Sequence, residues 1–300
     1  SNYAAKKGLV HGTLAQDIFY HNYLVGHSHS GTFLDIRSSF KAVAYRELQA
    51  GETITDTWYL GQTENAGDLA LLFAEYNDVL RKHLPPLWGA TNINRSSMVW
   101  GSWNDGTFRD IDSERLIGVA EFLSETFPMV EWLQIDDGYA RFSTDHEVAH
   151  GLGMPYEGEA GIDQEKFPGG FKPFTDRIKQ TNLRPAVWIG GRSDNRTKIA
   201  QENPQWRANY DFRMPDQMAL DISQDEVREY AEKALDFFFA DGGFEGMKHD
   251  FWSYAFEASE DLLKNKKRSG YEWREWWLMQ IRKRMPNDAY LQTGCDIVMG

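Results

Sequence analysis

Cysteine is almost missing from this chain of 300 residues: Cys295 stands alone, which excludes an internal disulfide framework. Long apolar runs are missing as well, and none approaches the ~20 residues a membrane-spanning helix needs. Basic residues are scarce, 32 Lys and Arg against 45 Asp and Glu. The net charge of −13 therefore argues against a nucleic-acid or anionic-membrane partner, since both are gripped by basic patches. The opening residues, Ser1 to Lys7, lack the apolar core of a secretion signal, which leans the expected location toward the cytoplasm. What the chain has in quantity is apolar and aromatic side chains. Hydrophobic residues make up 41%, enough for a large core, and there are 11 Trp. Flat aromatic faces mostly fill cores, but saccharide sites use them too. The length suits one large α/β domain with an appendage.

Residues 1–62 read as β-rich. Phe33 to Arg37 and Ala42 to Tyr45 are short strand-like runs, and Thr53 to Leu60 is dominated by β-branched and aromatic residues. This is too little to fold alone as a sandwich, and it reads as the closing strands of a larger β domain. Residues 63–97 join it to the α/β part of the chain. Leu69, Leu72, Phe73, Tyr76 and Leu80 recur at helical spacing, and Pro85-Pro86 stops that helix.

Over residues 98–300 strands alternate with helices. The strands are expected at Val99 to Trp103, Val130 to Ile135, Ala186 to Ile189, Gly246 to Phe251 and Ala289 to Gly294. Asp112 or Ser113 caps the helix after the first strand. Ser223-Gln224-Asp225-Glu226 matches a capping box, ahead of the apolar stripe Val227, Tyr230, Ala231, Ala234, Leu235 and Phe238. Such alternation implies a parallel sheet with helices outside it. Five units are present where a closed (β/α)₈ barrel needs eight. Either the sheet is open or the chain is a segment of a longer barrel, and the cut look of the β-rich start favours the second: a TIM-type barrel, incomplete in this chain and preceded by the end of a β-rich domain.

Polar residues cluster just past the strand ends: Asp136, Asp137, Arg192, Asp250 and Cys295. That rim carries the active site in α/β barrels. Lys248 and Asp250 are two apart in a strand and so share a face. A cation beside a carboxylate favours its charged form, which covalent catalysis by Asp requires. A strand-end salt bridge would use the same two residues.

Seven motifs in order make the chain resemble glycoside hydrolase family 36, the α-galactosidase family of the retaining clan shared with family 27. They are Gly101-Ser102-Trp103, Asp136-Asp137-Gly138-Tyr139, Lys166-Phe167-Pro168-Gly169-Gly170, Val187-Trp188-Ile189, Asn203-Pro204-Gln205-Trp206, Leu220-Asp221-Ile222-Ser223 and Lys248-His249-Asp250. The resemblance implies a retaining α-glycosidase without cofactor or metal, acting on an oligosaccharide or other α-galactoside. By position, Asp250 would be the nucleophile and Lys248 would hydrogen-bond the sugar. Asp136 and Asp137 would grip its hydroxyls, Trp103 and Trp188 would line the pocket, and Cys295 would form part of its wall. The family's acid/base Asp belongs to a sixth strand, past Gly300. Relatives often associate, so a homo-oligomer is a further implication. His249 stands in place of the family's usual aromatic, and Gly190-Gly191-Arg192 in place of its Glu-Pro. A non-catalytic sugar-binding homologue is the alternative.

His146-Glu147-Val148-Ala149-His150 matches H-E-x-x-H, a zinc-protease pattern that works only on a helix. Gly151, Gly153 and Pro155 follow at once, and the third His of the extended pattern is Tyr156. Glu157, Glu159 or Glu165 could replace it as ligand. The expected reading is a solvated loop over the site, with His146 and His150 available to touch substrate.

Overall fold

The computed structural model describes residues 8–14, 20–28, 31–39, 47, 50–53, 55, 57–64, 68–83, 97–141, 151–208, 217–250, 263–268 and 270–293. Two antiparallel pairs come first. Strand β1 (Gly8–Thr13) pairs with β4 (Trp58–Thr63), and β2 (Tyr20–Ser28) pairs with β3 (Gly31–Ser39). The strand expected over 53–60 in fact begins at Trp58. The ladder with β1 sets that start: Thr13 faces Trp58, and the last bond runs from Leu14 N–H to Thr57 O. The run at 42–45 lies outside the described residues.

Helix α1 (Leu69–His83) ends in Arg81, Lys82 and His83, cations that suit the negative end of its dipole. Its stripe is only half-buried, and Phe73, counted with that stripe from spacing, is 54% exposed. Tyr76 carries the main contact. Its ring lies so close to β1 that a Cβ on Gly12 would sit 2.3 Å from it, and it meets Tyr59 at 5.4 Å between centroids. Any larger residue at position 12 would have to push the Tyr76 ring aside.

The remaining elements keep the expected alternation: β5 (Val99–Gly101), α2 (Ser113–Thr126), β6 (Trp132–Ile135), α3 (Phe171–Gln180), β7 (Arg184–Gly190), then a small antiparallel pair of β8 (Arg192–Asp194) and β9 (Gln217–Ala219) with α4 (Lys198–Glu202) between. Helix α5 (Asp225–Asp236), strand β10 (Gly246–Asp250), α6 (Gly270–Arg284) and β11 (Leu291–Thr293) complete the described chain. The five main strands form one parallel sheet in the order β11-β10-β7-β6-β5. Each new strand joins the same edge, with no reversal. Right-handed crossovers then put the connecting helices α2, α3, α5 and α6 on one face, and the sheet curls toward a barrel rather than opening as a doubly wound sheet. It is an incomplete (β/α) barrel.

Local signals act as expected at some helix ends and not at others. Asp112 caps α2, its Oδ1 accepting from the Arg115 N–H at 2.8 Å. The capping box before α5 does not form. Gln224 is the cap residue and makes no side-chain capping bond to the helix, and Ser223 gives its hydroxyl to buried Asp221 at 2.5 Å. Asp221 Oδ2 in turn accepts from Gln224 Nε2 and the Lys264 N–H, so this carboxylate ties the start of α5 to residues 263–268.

The two faces of the sheet differ in chemistry. Leu133, Ile135, Val187, Ile189 and Met247 are fully buried and share one apolar cluster with helix residues such as Leu116, Phe174, Val227 and Leu235. The alternate residues face the barrel interior. There Trp132, Ala186 and Gly246 press together, and a Cβ on Gly246 would stand 2.8 Å from Trp132. Above them lie Gln134, Asp136, Lys248 and Asp250.

Candidate active site

The carboxyl ends of β6, β7 and β10 converge on one charged cluster. Lys248 Nζ lies 2.8 Å from Asp136 Oδ2 and 3.8 Å from Asp250 Oδ2. The cation expected beside Asp250 is thus shared, and its shorter bond reaches across the sheet to Asp136. Asp250 has a closer donor in Trp188, whose Nε1–H reaches Oδ2 at 3.0 Å. Asp136 and Asp250 are both buried, at 2% and 7% exposure. Two carboxylates removed from water in this way need such donors, since unpaired burial of charge costs several kcal/mol.

The backbone around the cluster is pinned from several sides. Asp136 N–H donates to Ser102 Oγ at 2.9 Å, and Ser102 N–H donates to Gln134 O at 3.1 Å, so β5 and β6 hold one another at their ends. Gln134 Nε2 donates to Asp136 Oδ2 at 3.3 Å. Tyr139 O–H donates to Trp188 O at 2.7 Å, and Gly191 N–H donates to Asp250 O at 2.9 Å. Tyr290 hydroxyl stands 3.2 Å from Gln134 Oε1 and also bonds Gln292. Burial, then the charge of Asp136, pushes the Tyr290 phenol well above its ordinary pKa, so it stays protonated.

Asp137 is placed differently from its neighbour. Its Oδ2 accepts from Arg109 Nε at 2.9 Å and lies 2.8 Å from Nη2, a two-pronged ion pair with the loop after β5. Gly138 makes this approach possible. Its φ of +122° is closed to most side chains, and a Cβ there would lie 2.7 Å from the Arg109 backbone. Lys166 Nζ fastens the same junction, donating to Gly138 O and Arg109 O at 2.8 and 3.0 Å.

His249 sits between the two site residues but belongs to the other face. It is 1% exposed and accepts from Trp277 Nε1–H on α6 at 2.8 Å through Nε2. Accepting at Nε2 leaves the proton of the neutral ring on Nδ1. Burial first, and the Arg274 charge second, depress its pKa well below the ordinary value. Trp103 is half-buried and meets Phe108 edge to face at 5.1 Å. Cys295, His146 and His150 lie outside the described residues. Among the described residues no group of three or more His, Cys, Asp or Glu is arranged to hold a metal ion.

The structure therefore brings Asp136, Lys248, Asp250 and Trp188 together, sets Asp137 beside them against Arg109, and leaves Trp103 against Phe108 rather than in contact with the charged cluster. Gln134, Arg109 and Tyr290 were not anticipated. Gln134 had a usable signal, a polar residue inside an apolar buried strand and on the same face as Asp136. Arg109 had none, because its role depends on how a loop folds back.

No family model matches this sequence, and no curated protein matches it. Solved structures do. The GH36 alpha-galactosidase AgaA of Geobacillus stearothermophilus is 15% identical, with a TM-score of 0.64 over 98% of this chain and 41% of its own. The fold is that of the GH36 α-galactosidases. TtGalA, an alpha-galactosidase from Thermus thermophilus, is 21% identical, with a TM-score of 0.62 over 98% of this chain and 51% of its own. The galactosidase domain of AgaSK is 14% identical, with a TM-score of 0.63 over 97% of this chain and 39% of its own. This chain spans between 39% and 51% of the length of these GH36-fold structures.

Proposed function

We propose that this chain carries the nucleophile side of a retaining α-galactosidase site, which removes terminal α-galactosyl residues through a covalent glycosyl-Asp250 intermediate. The observation that carries the reading is the buried group of Asp136, Lys248 and Asp250 at the carboxyl ends of β6 and β10. Active sites of α/β barrels lie at that rim. The ligands seen on fold relatives agree in kind: AgaA variants were crystallised with raffinose and stachyose, and TtGalA with p-nitrophenyl alpha-D-galactopyranoside.

In this reading one oxygen of Asp250 attacks the anomeric carbon as the bond to the leaving oxygen breaks. Trp188 Nε1–H and Lys248 orient the carboxylate through Oδ2. Asp136, with Lys248 between it and the nucleophile, accepts hydrogen bonds from sugar hydroxyls. Asp137, steadied by Arg109, extends that grip. Trp103 and Trp188 supply apolar walls, and Cys295 is assigned to the wall by resemblance. Water then cleaves the glycosyl ester in the reverse sense, retaining the configuration. The proton donor is assigned, again by resemblance, to a carboxylate on a sixth strand, so turnover is measured on protein that includes it.

The test is hydrolysis of p-nitrophenyl α-galactoside by the parent and by Asp250→Ala. The expected loss is roughly a million-fold, the scale seen when a catalytic nucleophile is removed. Turnover by Asp250→Ala at the parent rate rejects the assignment. Saturable galactoside binding by the parent without any turnover would instead indicate a sugar-binding homologue.

A further inference from the structure

Phe108 is the only non-glycine residue among those described whose backbone is left-handed, with φ at +51°. It occupies the second position of a turn closed by the Asp110 N–H to Thr107 O bond at 2.9 Å. Left-handed turn positions suit Gly, Asn or Asp, and an aromatic side chain there is strained. The loop imposes the strain from both sides. Thr107 Oγ1 donates to Ser102 O at 2.6 Å, Thr107 N–H donates to Asp105 Oδ1 at 2.9 Å, and Arg109 is held by Asp137. Burial does not offset it, because the Phe108 side chain is 52% exposed. Its ring contact is with Trp103, nearly perpendicular at 85° and 5.1 Å away.

A strained, half-exposed aromatic side chain is a poor choice for stability alone. Its position suggests what it serves. Ser102, next to Trp103, anchors Asp136, and Arg109, next to Phe108, anchors Asp137. The Trp103–Phe108 contact therefore joins the two residues that adjoin these anchors in the chain. Ring faces carry negative charge density and attract the slightly positive C–H groups of a pyranose. We propose that Trp103 and Phe108 form an outer subsite that holds the sugar attached to the terminal galactosyl unit, with Phe108 setting the preference for longer substrates.

This inference rests on the galactosidase reading, so the test separates the two. In an Asp250→Asn background, methyl α-galactoside and the trisaccharide raffinose are titrated by calorimetry, with Phe108 either kept or replaced. Phe108→Gly is expected to raise the Kd for raffinose about fivefold, the size of one aromatic contact, and to change methyl α-galactoside less than about twofold. The same variant should melt at a higher temperature, since glycine relieves the backbone, and Phe108→Tyr should retain raffinose affinity. Unchanged raffinose affinity in Phe108→Gly overturns the subsite and leaves the galactosidase reading standing. Equal losses for both ligands overturn it too. If neither ligand binds the parent, both proposals fall together.

Discussion

The two faces of the five-stranded sheet share one backbone and obey opposite rules. Outward residues Leu133, Ile135, Val187, Ile189 and Met247 are apolar and fully buried under the helices. Inward residues Gln134, Asp136, Lys248 and Asp250 are polar or charged and depend on one another's hydrogen bonds. A single residue step separates them, so one strand such as Gly246–Asp250 packs against the helices with one side and carries the charged cluster on the other. Stability rests on the outer face, where burial contributes about 25 cal/mol per Å² of apolar area. The inner face holds charges out of water at a cost, which a site accepts and a core does not.

The contrast is sharpest for Met247. Met247→Ala should lower unfolding stability by about 2–5 kcal/mol in denaturant titration, with galactoside affinity unaltered in the fraction that remains folded. Next in size is Gly138→Ala, which forces a Cβ toward the Arg109 backbone at an unfavourable φ. It should cost about 2 kcal/mol and also weaken sugar binding, because Asp137 and Arg109 are displaced together.

His249 is the polar exception on the outer face and gives the pH test. Its folded pKa is depressed by burial and by Arg274, so below about pH 6.5 the unfolded chain binds a proton that folded His249 refuses. Stability is full above that pH and falls as the solution becomes more acid, by up to about 1.4 kcal/mol per pH unit for one proton. His249→Gln, measured by chemical denaturation between pH 7 and pH 5, should remove that part of the slope. An unchanged slope would place the pH sensitivity elsewhere.

Much of the barrel was legible because parallel strands leave a strong local signature. Helix periodicity and buried apolar runs placed all five strands to within a few residues, and the alternation in Gly246–Asp250 put Lys248 and Asp250 on one face. Strand order settled what periodicity left open, since an open sheet and a barrel fragment share the same local pattern. Long-range geometry was not legible. The reach of Lys248 to Asp136 spans 112 residues, and the hydrogen bond from Trp188 to Asp250 spans 62. The antiparallel pair of β8 and β9 was missed because each strand is three residues long, too short for a period-2 signal. The capping box misled as well: Gln224 is the cap residue, and the Ser223 hydroxyl goes to a buried carboxylate, Asp221.

Galactose titrated calorimetrically into the parent chain and into Asp136→Asn tests most directly whether the charged interior is a sugar site. That exchange keeps the shape of the side chain and removes its charge. Hydrogen bonds to a charged group are worth about 1.5–3 kcal/mol, so the affinity of the folded protein should fall at least about tenfold, and the melting temperature should fall as well because Lys248 loses its nearest carboxylate. Equal galactose affinity in the two proteins, or no saturable binding by the parent, would contradict the account.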